Sequence, residues 1–160
     1  MLVIVDMQNR ILDENDENYV PTAAKLIPPI KERLDHARQT GELVIYTRDI
    51  PVEYQTEEDH PKLQIIPELA PLATEMILKK HYFALSPEQL LEIQALPEVE
   101  GKKTIELVGA ELNLCVLANT LALQSVFPEA DLLIKTKHVT GNALSQETLA
   151  LLRGFHVQVE

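Results

Sequence analysis

The chain has 160 residues, of which 46% are hydrophobic and 24% charged, with a net charge of −11. These figures predict one domain over residues 1–160, large enough to bury a core without metal or disulfide staples. A surface this acidic argues against nucleic acid or an anionic membrane as partner, and a lone cysteine excludes an internal disulfide and fits a reducing compartment.

In chain order, Leu2–Val5 is a continuous apolar, β-branched run. It reads as a buried strand of parallel type, with Asp6 at its carboxyl end. Its lack of a basic leader, and the absence of any apolar stretch of membrane-spanning length, make the cytoplasm the expected location. After an acidic loop at 13–18, Ala23, Ala24, Ile27, Ile30, Leu34 and Ala37 recur at helical spacing, interrupted by Pro28 and Pro29. Gly41 stops that helix. A second strand at 43–46 leads to Thr47, Arg48 and Asp49. Residues 50–71 carry four prolines and no clean period, which predicts a long loop of the kind that often serves function.

A third strand at 76–78 ends at Lys79 and Lys80. Ser86, Pro87 and Gln89 form a capping-box signature opening a helix to about residue 95. A fourth strand at 104–108 closes on Gly109, and a helix is predicted over 113–126. A fifth strand follows at 132–134, then a helix capped by Ser145 and stopped at Gly154, then a sixth strand at 155–159. This alternation predicts a three-layer α/β/α domain, its six-stranded, mostly parallel sheet covered by helices on both faces.

In such sheets the functional crevice lies at the carboxyl ends of the strands. Three residues able to do chemistry fall at that edge: Asp6 after the first strand, Lys79 after the third, and Cys115 after the fourth. A cysteine at a helix N-terminus near a lysine has its thiolate stabilised, and thiolate is the nucleophilic form. The turn's N–H groups suit a developing oxyanion, and Asp6 suits proton transfer. Taken singly, each residue also has a structural reading: Cys115 as a small core residue, Asp6 as a loop or cap residue, and Lys79 as a solvated strand end.

The segments Val3-Ile4-Val5-Asp6-Met7-Gln8-Asn9 and Val108-Gly109-Ala110-Glu111-Leu112-Asn113-Leu114-Cys115-Val116 resemble the isochorismatase-like cysteine hydrolase superfamily, which includes nicotinamidases and N-carbamoylsarcosine amidases. The run from Ile66 through Lys79 is similar to that family's approach to its lysine. Matching Tyr82 and Ala84 to the family's Tyr-Ser-Ala-Phe selects Lys79 as that lysine and puts Lys80 on the opposite strand face. The resemblance implies a cis peptide at Ala110–Glu111, an oxyanion hole made by the N–H groups of Glu111 and Cys115, and a Cys thioester mechanism on a small amide, imide or carbamoyl substrate. Asn9, Ile50, Tyr82 and Asn119 are the expected pocket residues.

Nicotinamidases carry Asp-x-His after the second strand, whereas this chain has Asp49-Ile50-Pro51, with His60 alone in the loop beyond. Two ligands are too few for a zinc-like site, so no metal or other cofactor is expected, and nicotinamide is disfavoured as substrate. His36, His81, His138 and His156 lack ligand spacing and read as surface residues. Other readings remain open at this point: an isochorismatase-type enol-ether hydrolase, which lacks the cysteine nucleophile, or an inactive paralogue serving as an interaction or redox-sensing module. A homo-oligomer is compatible with the sequence.

Overall fold

A computed structural model describes residues 1–101 and 104–160. The strands are β1 (Leu2–Val5), β2 (Val44–Asp49), β3 (Met76–Lys80), β4 (Thr104–Ala110), β5 (Asp131–Thr140) and β6 (Gln158–Val159). They form one sheet in the order β3-β2-β1-β4-β5-β6, and every pairing is parallel. The helices are α1 (Ile27–Gln39), α2 (Pro87–Gln94), α3 (Leu117–Val126) and α4 (Ser145–Gly154).

Two apolar cores sandwich the sheet. Val3 and Val5 face Leu90 and Ile93 of α2, Leu123 of α3, and Leu149 and Leu152 of α4. Leu2 and Ile4 face Ile30, Leu34 and Ala37 of α1. The side-chain alternation of one central strand therefore feeds both layers, which is why β1 is apolar at every position. Among the described residues no helix is long and apolar enough to cross a membrane.

Several local expectations change. Pro28 and Pro29 do not interrupt α1 but sit in its first turn, where a missing N–H costs nothing. Ser145 is the first residue of α4 rather than its cap; Leu144, at φ 52°, precedes it. The Ser86–Gln89 capping box on α2 forms as expected. Strand β5 is much longer than residues 132–134, and β6 shrinks to two residues. His138 is not at the surface. It is 2% exposed, and its Nδ1 lies 3.0 Å from Glu106 Oε1. Burial alone would raise the Glu106 carboxyl, but hydrogen bonds from His138 and Arg33 and the charges of Arg33 and Lys135 hold it at about 2.

The order of strands reverses between β1 and β4, and this switch point opens the crevice at their carboxyl ends. Gly109 makes the close approach of β4 to β1 possible there. Its φ is +118°, and a Cβ would stand 2.2 Å from the Val5 carbonyl oxygen. A Gly109→Ala substitution is therefore expected to cost about 3 kcal/mol or more in chemical denaturation. A loss below about 1 kcal/mol would contradict the tight β1–β4 contact.

Candidate active site

The residue that organises the switch point is Lys80, not Lys79. Along β3, Leu78 and Lys80 are buried while Ile77 and Lys79 are exposed. Lys79 turns outward and pairs with Glu58 at the surface. Lys80 turns inward and is 2% exposed. The assignment of Lys79 is thus corrected by one residue. Successive strand side chains point to opposite faces, so a shift of one exchanges a buried ammonium for a solvated one.

A buried lysine must be paired to remain charged. The Lys80 Nζ lies 2.7 Å from Asp6 Oδ2, 3.5 Å from Asp49 Oδ1 and 3.4 Å from Cys115 Sγ, and it donates to the Tyr82 carbonyl at 2.8 Å. Burial alone would lower its pKa, but interaction with Asp6, Cys115 and Asp49 carries it above the ordinary lysine value. One ammonium therefore touches both the carboxylate and the sulfur that the sequence singles out.

Asp6 reaches this position through backbone and side-chain support. Its φ is +48°, a left-handed conformation that turns the chain sharply off the end of β1. Thr47 holds that turn from β2: its hydroxyl accepts from the Asp6 N–H at 3.2 Å and donates to Asp6 Oδ1 at 2.6 Å. The Asp6 Oδ2 is buried and faces the Lys80 ammonium at 2.7 Å.

Cys115 lies in a π-helical turn, Leu112–Val116, that precedes α3, rather than at the start of a regular helix. The carbonyl of Glu111 accepts from the N–H groups of Leu114 and Val116, which fixes the turn on both sides of the cysteine. The Ala110–Glu111 peptide is cis. The thiol is not lowered as the sequence suggests. Burial and the Asp6 charge push the Cys115 pKa well above the ordinary thiol value, against the opposing pull of Lys80. Burial and Asp6 thus favour the protonated thiol, and Lys80 pairs with Asp6 at 2.7 Å.

These groups open into a cavity of about 320 Å³, lined among others by Asp6, Arg10, Asp49, Tyr82, Glu111 and Cys115. Of the four expected pocket residues, only Tyr82 lines it. Ile50 is fully buried, and Asn9 turns away to donate to the Pro61 carbonyl. Asn119 is also fully buried. It accepts from the Leu85 N–H and donates to the Phe83 and Cys115 carbonyls, so it ties the segment after β3 to the cysteine turn. Gln8 plays a similar part on the other side, bonding both the N–H and the carbonyl of Asp49 and the carbonyl of Leu63. The roles of Thr47, Gln8 and Asn119 depend on contacts across 41, 55 and 34–36 residues, which no local pattern announces.

The surroundings of Asp49 do not fit a divalent cation. Its carboxylate faces two cations, Lys80 at 3.5 Å and Arg10 Nη1 at 3.6 Å. Burial raises its pKa, with Asp6 adding to the rise and Lys80 and Arg10 opposing it. His60 is exposed, and its Nδ1 accepts from the Lys62 N–H. Among the described residues no group of three or more His, Cys, Asp or Glu side chains is disposed to hold a metal.

The isochorismatase domain profile matches residues 1–125. Solved structures with the same fold include a pyrazinamidase of Pyrococcus horikoshii in complex with zinc, at 16% identity and a TM-score of 0.82, covering 99% of this chain and 97% of that one. An N-carbamoylsarcosine amidase from Thermoplasma acidophilum aligns at 19% identity and a TM-score of 0.75, over 99% and 94% of the two chains. An isochorismatase family protein from Desulfovibrio vulgaris aligns at 18% identity and a TM-score of 0.81, over 99% and 91%. No curated protein matches significantly.

The two lysines are separable by experiment. Lys80→Met strands the buried Asp6 charge and is expected to cost about 3–5 kcal/mol in denaturation at neutral pH. Lys79→Met removes only a surface pair and should melt close to the wild type. Equal effects from the two would contradict the inward orientation of Lys80.

Proposed function

Because the chain belongs to the isochorismatase-like hydrolase family, we propose that it cleaves a C–N bond of a small amide, imide or carbamoyl compound through a Cys115 thioester. The observation that carries this reading is the contact of one buried ammonium, Lys80, with both the Asp6 carboxylate and the Cys115 sulfur. Two of the three similar structures are amidases by name, which agrees with C–N chemistry. The cavity admits only a small substrate.

The mechanism follows from the contacts of Lys80 with Asp6 and Cys115. Burial and Asp6 favour the protonated thiol, so nucleophile and base act together. As a carbonyl carbon approaches, the Cys115 S–H proton passes to Asp6 and the S–C bond forms. The oxyanion takes hydrogen bonds from the N–H groups of Glu111 and Cys115. Asp6 then gives its proton to the departing nitrogen as the C–N bond breaks, leaving a thioester. Water, deprotonated by Asp6, attacks that thioester. The C–S bond breaks, the acid is released and the thiol regains its proton. Lys80 stays protonated throughout. It holds Asp6 in place, and its charge lowers the energy of the transient thiolate.

The test is ammonia release from a panel of small amides, with intact-mass analysis of acid-quenched reactions. The wild type should release ammonia and show an adduct of acyl mass on its one cysteine. Cys115→Ala and Asp6→Asn should each lower turnover by about a thousandfold or more. Full turnover by Cys115→Ala would remove the proposal, as would hydrolysis without an acyl adduct in any variant.

A further inference from the structure

Arg10 presents a chemical problem that the mechanism does not absorb. It is 5% exposed and lines the cavity shared by Asp6 and Cys115. A guanidinium carries five N–H donors, and burying them without acceptors is costly. The two carboxylates nearest to Arg10 stand beyond hydrogen-bond reach: Asp49 at 3.6 Å from Nη1 and Asp16 at 4.0 Å from Nε. The buried Nη1 has no hydrogen-bond partner among the described residues.

The other arginines of the domain interior behave differently. Arg48 donates to the carbonyls of Leu63 and Glu58. Arg38 donates to both oxygens of Glu75 and to the Ala70 carbonyl. Arg33 donates to Glu106 and Glu42, although its Nη1, like that of Arg10, has no partner among the described residues. Arg10 alone among these is held near acids without being bonded to them. Both acids are also engaged elsewhere. Asp49 faces Lys80, and Asp16 accepts from Asn18 and pairs with Lys62. Much of the remaining wall is apolar, including Ile11, Phe83 and Leu114, so a few polar groups must orient whatever enters.

We propose that Arg10 is a specificity residue, and that the substrate is a small amide bearing a second acceptor oxygen, a carboxylate or carbonyl, which the Arg10 guanidinium binds while the scissile carbonyl sits at Cys115. This rests on the amide-hydrolase reading above and names its substrate class. The planar fork of the guanidinium suits a carboxylate or carbonyl oxygen better than a lysine would. Contact with that oxygen would give the guanidinium a hydrogen bond from the cavity that it lines. A monoamide with an alkyl tail gives the guanidinium no hydrogen-bond acceptor and displaces any water that would serve it, so it binds more weakly.

The experiment uses the Cys115→Ala protein, in which binding is read without turnover. Calorimetric titrations with malonamate, succinamate, succinamide and butyramide compare charged, neutral and absent second oxygens at similar size. At least one compound with a second oxygen should bind about tenfold or more tightly than butyramide. That preference should vanish in Cys115→Ala/Arg10→Met and partly return in Cys115→Ala/Arg10→Lys. Arg10→Gln replaces the Met variant should the latter fail to fold, with folding checked by thermal melting. A preference for succinamate over succinamide identifies the oxygen as carboxylate, and the reverse identifies a carbonyl. Equal binding of all four compounds, no binding of any, or a preference that survives loss of Arg10 overturns the inference. Wild-type hydrolysis of amides regardless of a second oxygen sinks this inference alone. Absence of Cys115-dependent hydrolysis of any amide sinks the activity reading beneath it.

Discussion

A charged lysine at 2% exposure constrains everything around it. Lys80 cannot stay protonated in the interior unless carboxylates accompany it, and Asp6 and Asp49 come from the ends of two neighbouring strands to do so. The same ammonium then stands against the Cys115 sulfur at 3.4 Å, contributed by the turn that follows β4 on the other side of β1. Pairing the charge and assembling the reacting groups are therefore one event. The ion pair does not make the thiol acidic. It holds the Asp6 carboxylate and the Cys115 sulfur against one ammonium, the arrangement on which the proposed coupling of proton transfer and attack rests.

The rest of the crevice supports that arrangement. Thr47 fixes the carboxylate from β2, and Asn119 fixes the cysteine turn to the segment that follows Lys80. Gln8 bonds the end of β2 and the long loop beyond it. Gly109 lets β4 close on β1, and without that approach Asp6 and Cys115 would stand apart. Thr47 and Asn119 bond Asp6 and Cys115 directly, whereas Gln8 and Gly109 act on the strand ends around them. This is the structure of a site held by rigid strand ends rather than by a mobile loop.

Much of this was legible in the sequence. The alternation of apolar strands and amphipathic helices predicts the parallel sheet, and strand-end placement brings Asp6 and Cys115 to one edge. Lys79 is selected by the match of Tyr82 and Ala84 to the family motif, and nothing in β3 counters that choice. β3 is an edge strand whose residues Met76, Ile77 and Leu78 are all apolar, so no polar–apolar alternation marks its inner face. Leu78 is the one buried member of the three, and that parity selects Lys80, but burial is not written in the residue type. The thiol's acidity was misread for a related reason. A helix-terminus argument weighs the local dipole, whereas burial and the charge of an aspartate 109 residues away decide the outcome. Asn119 and Ile50, expected in the pocket, are both fully buried, and Asn119 ties the segment after β3 to the cysteine turn.

The coupling of carboxylate and sulfur is accessible because the chain has a single cysteine. Titration of the 13C-labelled Cys115 side chain by NMR, in the wild type and in Asp6→Asn, reads it directly. The wild-type thiol should titrate above the ordinary value near 8.5. Removing the Asp6 charge should bring it down, since Lys80 then acts on the sulfur unopposed. A wild-type thiol that titrates at or below the ordinary value, or one that does not respond to Asp6→Asn, would contradict a site in which Asp6, Lys80 and Cys115 act as one unit.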